Sequence, residues 1–317
     1  MTTIIFMGTA AFSATVLQRL IDENYHIEAV VSQPDRPVGR KRVLQPTAVK
    51  QVALDNHIAV YQPEKLNQSA EMAELLTKEV DFIVTAAYGQ YIPKQLLKLP
   101  KYYAVNVHAS LLPKYRGAAP IQYAIWKGEN ETGVSIMEMV AEMDAGGVFA
   151  QQSVTIDSQD DAGDLFNKLA VIGSNLLIEV LPLIINENKQ PQPQDEDLVT
   201  YAPMLKREEE QIDWSLEAKD IDQHVRAFRP NPSTYSWVNN QRVKIWAGFP
   251  IDWTDKSRAD IGEILAMTDN YLVIQAGNNT YFAITEWQES GKRRMLIKQA
   301  YNGLNTNEWV GQKFYWK

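Results

Sequence analysis

Two polar residues at the end of an apolar run are the first feature of this sequence that could do chemistry. Asn106 and His108 stand two positions apart, close after the apolar pair Ala104 and Val105. Side chains two apart in a strand share one face, so an amide donor and an imidazole can point at a common centre. A carboxylate follows at Asp144, in a glycine-rich stretch. Hydrogen-bond donors and proton-transfer groups of this kind indicate an active site.

Each of the three residues also has an ordinary structural interpretation. A histidine near a strand end is often a satisfied polar residue, and an aspartate before glycine is commonly a turn residue. Asn106 can serve a backbone hydrogen bond in the same way. Residue types and spacing alone therefore predict an active site in an α/β enzyme and do not identify its reaction.

The elements that would position these side chains alternate between strand and helix. Strands are predicted at residues 3–7, 27–31, 82–87, 103–107 and 133–139, and helices at residues 16–21, 45–53, 64–77, from about Pro120, and at 163–185. This alternation predicts an α/β domain with a parallel, Rossmann-like sheet and helices on both faces. Ligands in such sheets bind at the carboxyl ends of the strands, and one of those ends is formed by residues 108–110.

The second half of the sequence changes character. Residues 186–198 are rich in Gln, Pro, Asn and acid, which predicts the start of a linker. A helix at residues 217–228 and strands at 242–246, 262–267, 271–276 and 281–287 predict a small OB-like β-barrel. We therefore expect a catalytic domain at residues 1–188, a linker at 189–206 and a C-terminal barrel domain at 207–317.

Composition limits the class of protein. The 317 residues favour two domains, and the absence of Cys excludes disulfides, thiolate metal sites and a Cys nucleophile. No basic region precedes the first apolar residues, and the apolar stretch 176–185 is interrupted by Glu179 and Pro182 and is too short to span a bilayer. A cytoplasmic location is expected.

Two basic segments stand out in a chain whose net charge is −8. Residues 36–54 contain Arg36, Arg40, Lys41, Arg42 and Lys50 and no acid, and residues 291–298 contain Lys292, Arg293, Arg294 and Lys298 and no acid. Charge runs usually form solvated surfaces. Two such runs in an acidic protein also suit contact with a polyphosphate.

A longer pattern resembles a known family. Residues 108–121 (His-Ala-Ser-Leu-Leu-Pro-Lys-Tyr-Arg-Gly-Ala-Ala-Pro-Ile), together with residues 132–134 and 143–144, resemble the signature of the folate-dependent formyltransferases. The similarity covers nearly the whole chain and is closest to members that act on methionyl-tRNA, through residues 6–9, 33–40, 86–89, 212–215 and 226–230. The family usually has Pro, Arg and Thr where Ala10, Lys114 and Ala145 stand, and none of these differences removes a catalytic group.

The resemblance implies an activity and a set of site residues. The formyl group of 10-formyltetrahydrofolate, a co-substrate, would pass to the α-amino group of methionyl initiator tRNA for translation initiation, without a metal. Asn106 and His108 would donate hydrogen bonds to the oxyanion, and Asp144 would hold His108 and help proton transfer. Folate contacts are expected at Ala87, Tyr88, Gly89, Ile92, Ser110, Leu111, Leu112 and Pro113. Contacts with tRNA are expected at Arg36, Arg40, Lys41, Arg42, Lys292, Arg293 and Arg294, in a protein expected to be a monomer away from membranes.

Three other functions compete with this interpretation. A nicotinamide dehydrogenase would need a glycine-rich turn after the first strand, where residues 8–12 offer one glycine and Phe12. A formyltransferase for a nucleotide-linked amine or amino sugar would not need the basic segment at residues 36–50. A non-catalytic RNA-binding protein would have no use for Asn106, His108 and Asp144.

Overall fold

The computed structural model describes residues 1–39, 42–254, 259–301 and 306–317. Two units are distinguished by their internal packing. Unit 1 comprises Met1–Pro120, Glu131–Thr155 and Phe166–Pro203, and unit 2 comprises Ile121–Asn130, Ile156–Leu165 and Met204–Lys317. Unit 2 thus includes two short segments that come well before residue 204 in the sequence. The domain limits expected near residues 188 and 207 remain a prediction.

Unit 1 is built on a mixed sheet. Its described residues form the strands β1 Thr3–Gly8, β2 His26–Val31, β5 Val60–Tyr61, β6 Phe82–Ala86, β7 Tyr103–His108, β8 Glu131–Glu138 and β9 Val148–Thr155. These seven strands pair in the order β5-β2-β1-β6-β7-β8-β9. The first five in this order are parallel, whereas β8 and β9 run antiparallel to their neighbours. The expected Rossmann-like α/β domain is confirmed, with an antiparallel extension beyond β7.

Apolar runs buried on both faces explain the parallel part of this sheet. Ile4, Phe6 and Phe82 are fully buried, as continuous apolar strands of parallel sheets usually are. The helices of the first half are α1 Ala11–Asp22, α2 Ala48–Asp55, α3 Ala70–Leu75, α4 Lys94–Leu97, α5 Pro120–Trp126 and α6 Ala162–Glu187. Because five of the strands are parallel, their carboxyl ends, where a ligand could bind, lie at one edge of the sheet.

Two helices begin later than predicted because of their caps. Thr47 accepts a hydrogen bond from the backbone nitrogen of Lys50 at 3.1 Å, and Ser69 accepts one from Met72 at 3.0 Å. A capping side chain satisfies an amide of the first turn and marks where the helix starts. The predicted starts at residues 45 and 64 were therefore wrong by three and six residues.

A β-hairpin occupies most of the first basic segment. Its strands are β3 Arg36–Val38 and β4 Val43–Gln45, which pair antiparallel with each other as a separate two-stranded sheet. Val43 and Leu44 are exposed, with 52% and 63% of their surface accessible. The strand conformation of Gln45 shows why the helix predicted from that residue begins only after Thr47.

Unit 2 contains an antiparallel sheet that curls towards closure. Its strands are β10 Thr234–Val238, β11 Gln241–Ile251, β12 Ile264–Met267, β13 Leu272–Gln275, β14 Tyr281–Glu289 and β15 Met295–Leu296. They pair in the order β10-β11-β14-β13-β12, with β15 on β14. Isolated bridges join Tyr315 to Trp237 next to one edge and Lys313 to Glu263 next to the other, so the C-terminal segment links both edges. This arrangement agrees with the expected barrel.

The core of unit 2 is aromatic and aliphatic. Trp287, Phe282 and Phe314 are fully buried or nearly so. Helix α7 (Ala218–Ala227) adds Ile221 and Val225 to the same cluster. The short helices α8 Ile297–Ala300 and α9 Thr306–Trp309 complete the unit within the described residues.

Helix α6, predicted at residues 163–185, extends well beyond the apolar stretch 176–185 in its C-terminal half. Its 26 residues include Pro182. Within the described part of the chain, it is long and apolar enough to cross a membrane by length and composition, and 50% of its most apolar window is buried in the protein. The whole helix, unlike residues 176–185 alone, is thus long enough to span a bilayer. A core helix of a water-soluble protein passes the same test.

Residues 190–203, which we call the strap, belong to unit 1 and pair with other segments of it, although their composition predicted a linker. The backbone of Gln192 bridges Val148, and that of Tyr201 bridges Arg116. The nitrogen of Ala202 donates to the carbonyl of Arg116 at 2.8 Å, and the nitrogen of Arg116 donates to the carbonyl of Thr200 at 2.9 Å. These bonds satisfy the backbone of a segment too polar to build a core.

Candidate active site

Strand β7 places Asn106 at the carboxyl edge of the sheet, beside Thr85 of β6. The two residues are register partners on neighbouring parallel strands. The buried hydroxyl of Thr85 donates to the side-chain oxygen of Asn106 at 2.8 Å. Because the amide oxygen is used in this bond, the amide nitrogen is the end that can donate to another group.

His108 lies on the same strand and is held by the turn that follows it. Its side chain is 6% exposed, and its Nε2 lies 3.0 Å from the carbonyl oxygen of Tyr115. A carbonyl only accepts, so Nε2 is the donor and carries a hydrogen. The other ring nitrogen, Nδ1, faces the Oδ1 atom of Asp144 at 3.8 Å. That distance is an ion-pair distance and is too long for a hydrogen bond.

Asp144 is presented by a tight loop between β8 and β9. Its backbone has φ of 51°, in the left-handed region that few non-glycine residues adopt. Its Oδ2 atom accepts a hydrogen bond from the backbone nitrogen of Gly117 at 2.8 Å. At Gly146 an added Cβ would stand 1.9 Å from the carbonyl oxygen of Glu138, so only glycine fits there. The loop and the turn thus fix the carboxylate beside the imidazole.

The turn after β7 is fastened from β8 and β9. The Ser135 hydroxyl donates to the carbonyl of Ser110 at 2.6 Å and accepts from the backbone nitrogen of Leu112 at 3.1 Å. Gln151 donates to the carbonyl of Leu112 at 2.7 Å. Of the folate contacts predicted here, Ser110 and Leu112 are buried, whereas Leu111 and Pro113 are half-buried. The half-buried pair is the part of this turn that a ligand can touch.

In the loop after β6, the predicted folate contacts likewise include both accessible and buried residues. Ala87 and Gly89 are exposed and have positive φ, while Tyr88 and Ile92 are buried in the core of unit 1. Burial raises the pKa of the Tyr88 hydroxyl to about 12. That hydroxyl has no hydrogen-bond partner among the described residues. Tyr88 therefore packs the loop from behind, and its backbone carbonyl accepts from Thr9 at 2.9 Å.

The first basic segment is only partly neutralised. Arg36 pairs with Glu64 at 2.8 Å, and Lys50 pairs with Asp35 at 2.6 Å. The pKa of Asp35 is lowered by its hydrogen bonds from Gln62 and Lys50. Arg42 is exposed on the hairpin. The predicted tRNA contacts Arg40 and Lys41 lie outside the described residues.

The second basic segment lies in unit 2 and is largely paired with acids. Lys292 contacts both oxygens of Glu289 at 2.9 Å, and Arg294 contacts both oxygens of Glu286 at 2.7 and 2.6 Å. Arg294 also stacks 4.4 Å above the Trp246 ring. Arg293 is exposed. Both acids come from the end of β14, just before residues 291–298, and so lie outside the segment that was counted as free of acid.

Sequence spacing did not point to three of the residues that organise this site: Thr85, Arg116 and Gln194. Thr85 precedes Asn106 by 21 positions, and Gln194 lies 50 positions after Asp144. Arg116 stands inside the motif at residues 108–121, but its side chain faces the strap, where it donates to Gln194 at 3.1 Å and Glu196 at 2.8 Å. No group of three His, Cys, Asp or Glu side chains in the described ranges is placed to hold a metal.

Comparison with known families gives matches over both halves of the chain. The profile described as formyl transferase matches residues 1–181, and the one described as formyl transferase, C-terminal domain, matches residues 204–305. A methionyl-tRNA formyltransferase of Pediococcus pentosaceus is 48% identical over 314 residues, which covers 99% of this chain and 98% of the relative. The enzyme of the same name from Enterococcus faecalis is 46% identical over 307 residues, or 97% of both chains.

A solved structure shares the fold at low identity. The N-formyltransferase of Helicobacter canadensis, in complex with folinic acid and dTDP-3-aminofucose, superimposes with a TM-score of 0.69 at 19% identity. The match covers 91% of this chain and 100% of that one. At this identity the likeness shows the fold alone.

Proposed function

The chain belongs to the formyl transferase family, and from that premise we propose that it formylates the α-amino group of methionyl initiator tRNA. The donor is 10-formyltetrahydrofolate, and the product serves translation initiation. The resemblance drawn from residues 108–121 is confirmed by the family match and by relatives of the same length. The observation that carries the proposal is the placement of Asn106 and His108 on β7 with Asp144 3.8 Å from the imidazole.

The side chains suit acyl transfer to an amine. The folate supplies a formyl carbon bonded to N10, and the methionyl amine, which titrates near about 7.7–8.0, is readily available as a free base. When the new N–C bond forms, the formyl oxygen becomes negative, and the Asn106 amide nitrogen donates to it. The expected donation from His108 to this oxygen does not fit its contacts, because Nε2 donates to the Tyr115 carbonyl and Nδ1 faces Asp144. His108 with Asp144 instead takes part in moving the amine proton to the departing N10 as the old bond breaks.

The accessible parts of two loops suit the folate. Ala87 and Gly89 offer exposed backbone, and Leu111 and Pro113 offer half-buried apolar surface. Ser110, Leu112, Tyr88 and Ile92 support these loops from within. Small and apolar groups with backbone donors and acceptors are typical of pockets for flat heterocyclic ligands.

The acceptor is assigned to tRNA through the basic hairpin and the relatives. Arg36 and Arg42 belong to the hairpin, Arg40 and Lys41 stand between them in the sequence, and cations of this density bind duplex phosphates. An amino-sugar acceptor would leave that segment without a role. The enzyme acts as a cytoplasmic monomer with tRNA as its macromolecular partner.

The test is formyl transfer from 10-formyltetrahydrofolate to methionyl initiator tRNA, compared with uncharged tRNA, free methionine and a nucleotide-linked amino sugar. Transfer to the charged tRNA alone is expected. His108→Ala should lower kcat on the order of 100-fold. Transfer to the amino sugar in preference to tRNA would keep the chemistry and overturn the acceptor.

A further inference from the structure

We propose that Gln194 of the strap is a positioning residue for formyl transfer, which holds the Asp144 loop in its catalytic conformation by tying it to Arg116. The reaction itself rests on the proposed function. Nothing about the polar composition of residues 186–198 pointed to such a role, because that composition is typical of a solvated linker.

Gln194 uses both ends of its side-chain amide in this contact. Its nitrogen donates to the carbonyl oxygens of Asp144 and Gly146, each at 2.7 Å. Its oxygen accepts from the Nε atom of Arg116 at 3.1 Å. The amide therefore bridges two carbonyls on the loop and a cation on the turn, and only a side chain with both a donor and an acceptor can do so.

Arg116 makes a firm anchor for this bridge. Its side chain is 2% exposed and pairs with Glu196 at 2.8 Å, which lowers the pKa of that carboxyl group. Its backbone is bonded to Thr200 and Ala202 of the strap. A buried guanidinium with hydrogen bonds on several sides has little freedom to move.

The residues on either side of Arg116 contact the catalytic pair. The carbonyl of Tyr115 accepts from His108, and the nitrogen of Gly117 donates to the Asp144 carboxylate. Gln194 thus connects the piece of backbone that holds His108 with the loop that carries Asp144. Because Asp144 has a left-handed backbone, its conformation depends on such outside support.

The informative variant is Gln194→Glu, which keeps the size of the side chain and the bond to Arg116. It removes the donor and places a carboxylate oxygen against two carbonyls. We expect kcat to fall about 10- to 100-fold, as misplaced catalytic groups do, while KM for folate and tRNA stays within about twofold. Gln194→Ala, which also removes the donor, should lower kcat to a similar extent. The matched control is Gln192→Ala, because Gln192 is a strap glutamine with an exposed side chain.

Two measurements separate positioning from a general loss of structure. In an Asp144→Ala background, Gln194→Glu should cost less than about twofold, because the group it positions is gone. Amide exchange of residues 142–148 should accelerate in Gln194→Glu and not in Gln192→Ala. The proposal is overturned if Gln194→Glu matches Gln192→Ala in kcat, if its full effect persists without Asp144, or if exchange is unchanged. Amide exchange tests the bridge even if the wild-type chain fails to formylate methionyl-tRNA, a result that would overturn the proposed function instead.

Discussion

The amide of Asn106 can stabilise an oxyanion only if its nitrogen faces the substrate, and the Thr85 hydroxyl decides which end does so. Thr85 is buried and donates to the amide oxygen at 2.8 Å. Thr85→Val keeps the shape and removes the donor, which leaves the amide free to rotate and its oxygen without that partner. We expect kcat to fall about tenfold, the size of one lost hydrogen bond to a buried group.

The control for this prediction is Thr85→Ser, which retains the hydroxyl and should keep most of kcat. Steady-state formylation with both substrates varied gives kcat and KM separately. An unchanged kcat in Thr85→Val, with the fold intact by circular dichroism, would show that the amide is oriented by other contacts.

The residues of this site differ in whether the sequence alone could predict that they lie together. Asn106 and His108 share a face because strand periodicity is two, and that rule needs no knowledge of the fold. Thr85 meets Asn106 through the register of β6 on β7, which residue spacing does not encode. Gln194 depends on the path of the strap, a polar segment with no periodicity at all.

Among the helices of unit 2, α7 contains the clearest pH-sensitive group of the structure. His224 is buried, stacks on Trp126 at 5.0 Å and donates through Nε2 to the carbonyl of Glu209 at 2.7 Å. Burial lowers the pKa of the imidazole to about 4. The neutral form is therefore favoured by the fold, while the unfolded chain protonates near 6.5.

The expected consequence is a loss of stability on acidification. The contribution of His224 is complete above about pH 6.5 and is lost as pH falls from there towards 4, by on the order of 3 kcal/mol. Urea midpoints measured from pH 7.5 to 4.5 should fall more steeply in the wild type than in His224→Gln, which keeps a donor. His57→Gln, at an exposed histidine, serves as the control. Parallel wild-type and His224→Gln curves would contradict the assignment.

Elements were predicted best where one apolar pattern decides them. Strands β1, β2, β6 and β7 followed from continuous apolar runs, and α6 followed from its spacing. The β3–β4 hairpin was missed because each strand has only three residues, too few to show a period, and cross-strand pairing makes it a hairpin. The strap likewise has no periodic pattern, and its composition predicted the start of a linker.

At the scale of the whole molecule, the question is how a chain of net charge −8 binds a polyanion. The acids are not spread evenly. In unit 2, Lys292 and Arg294 already have carboxylate partners, so a phosphate would have to displace Glu289 or Glu286. On the hairpin, Arg36 has an exposed partner, and exposed pairs are weak. The hairpin is therefore the segment whose cations are most available to tRNA.

This difference between the two basic segments can be measured through the salt dependence of tRNA binding. Each phosphate contact that is lost lowers the slope of log K against log salt by about 0.7 to 0.9. Replacing Arg40, Lys41 and Arg42 with Gln should raise KM for methionyl-tRNA at least tenfold, reduce the salt slope by about 2, and leave KM for the folate unchanged. The same replacement at Lys292, Arg293 and Arg294 should reduce the slope by about 1 or less, because paired cations release fewer counterions.

The control for net charge is a third triple variant, Lys94, Lys98 and Lys101 to Gln, at exposed lysines near α4. It changes the total charge by the same amount without touching either basic segment. If all three variants lower the slope equally, the protein attracts tRNA through its general field and the hairpin has no special part. If only the variant at Arg40, Lys41 and Arg42 lowers the salt slope, phosphates are bound locally at the first basic segment, and the acceptor is held there.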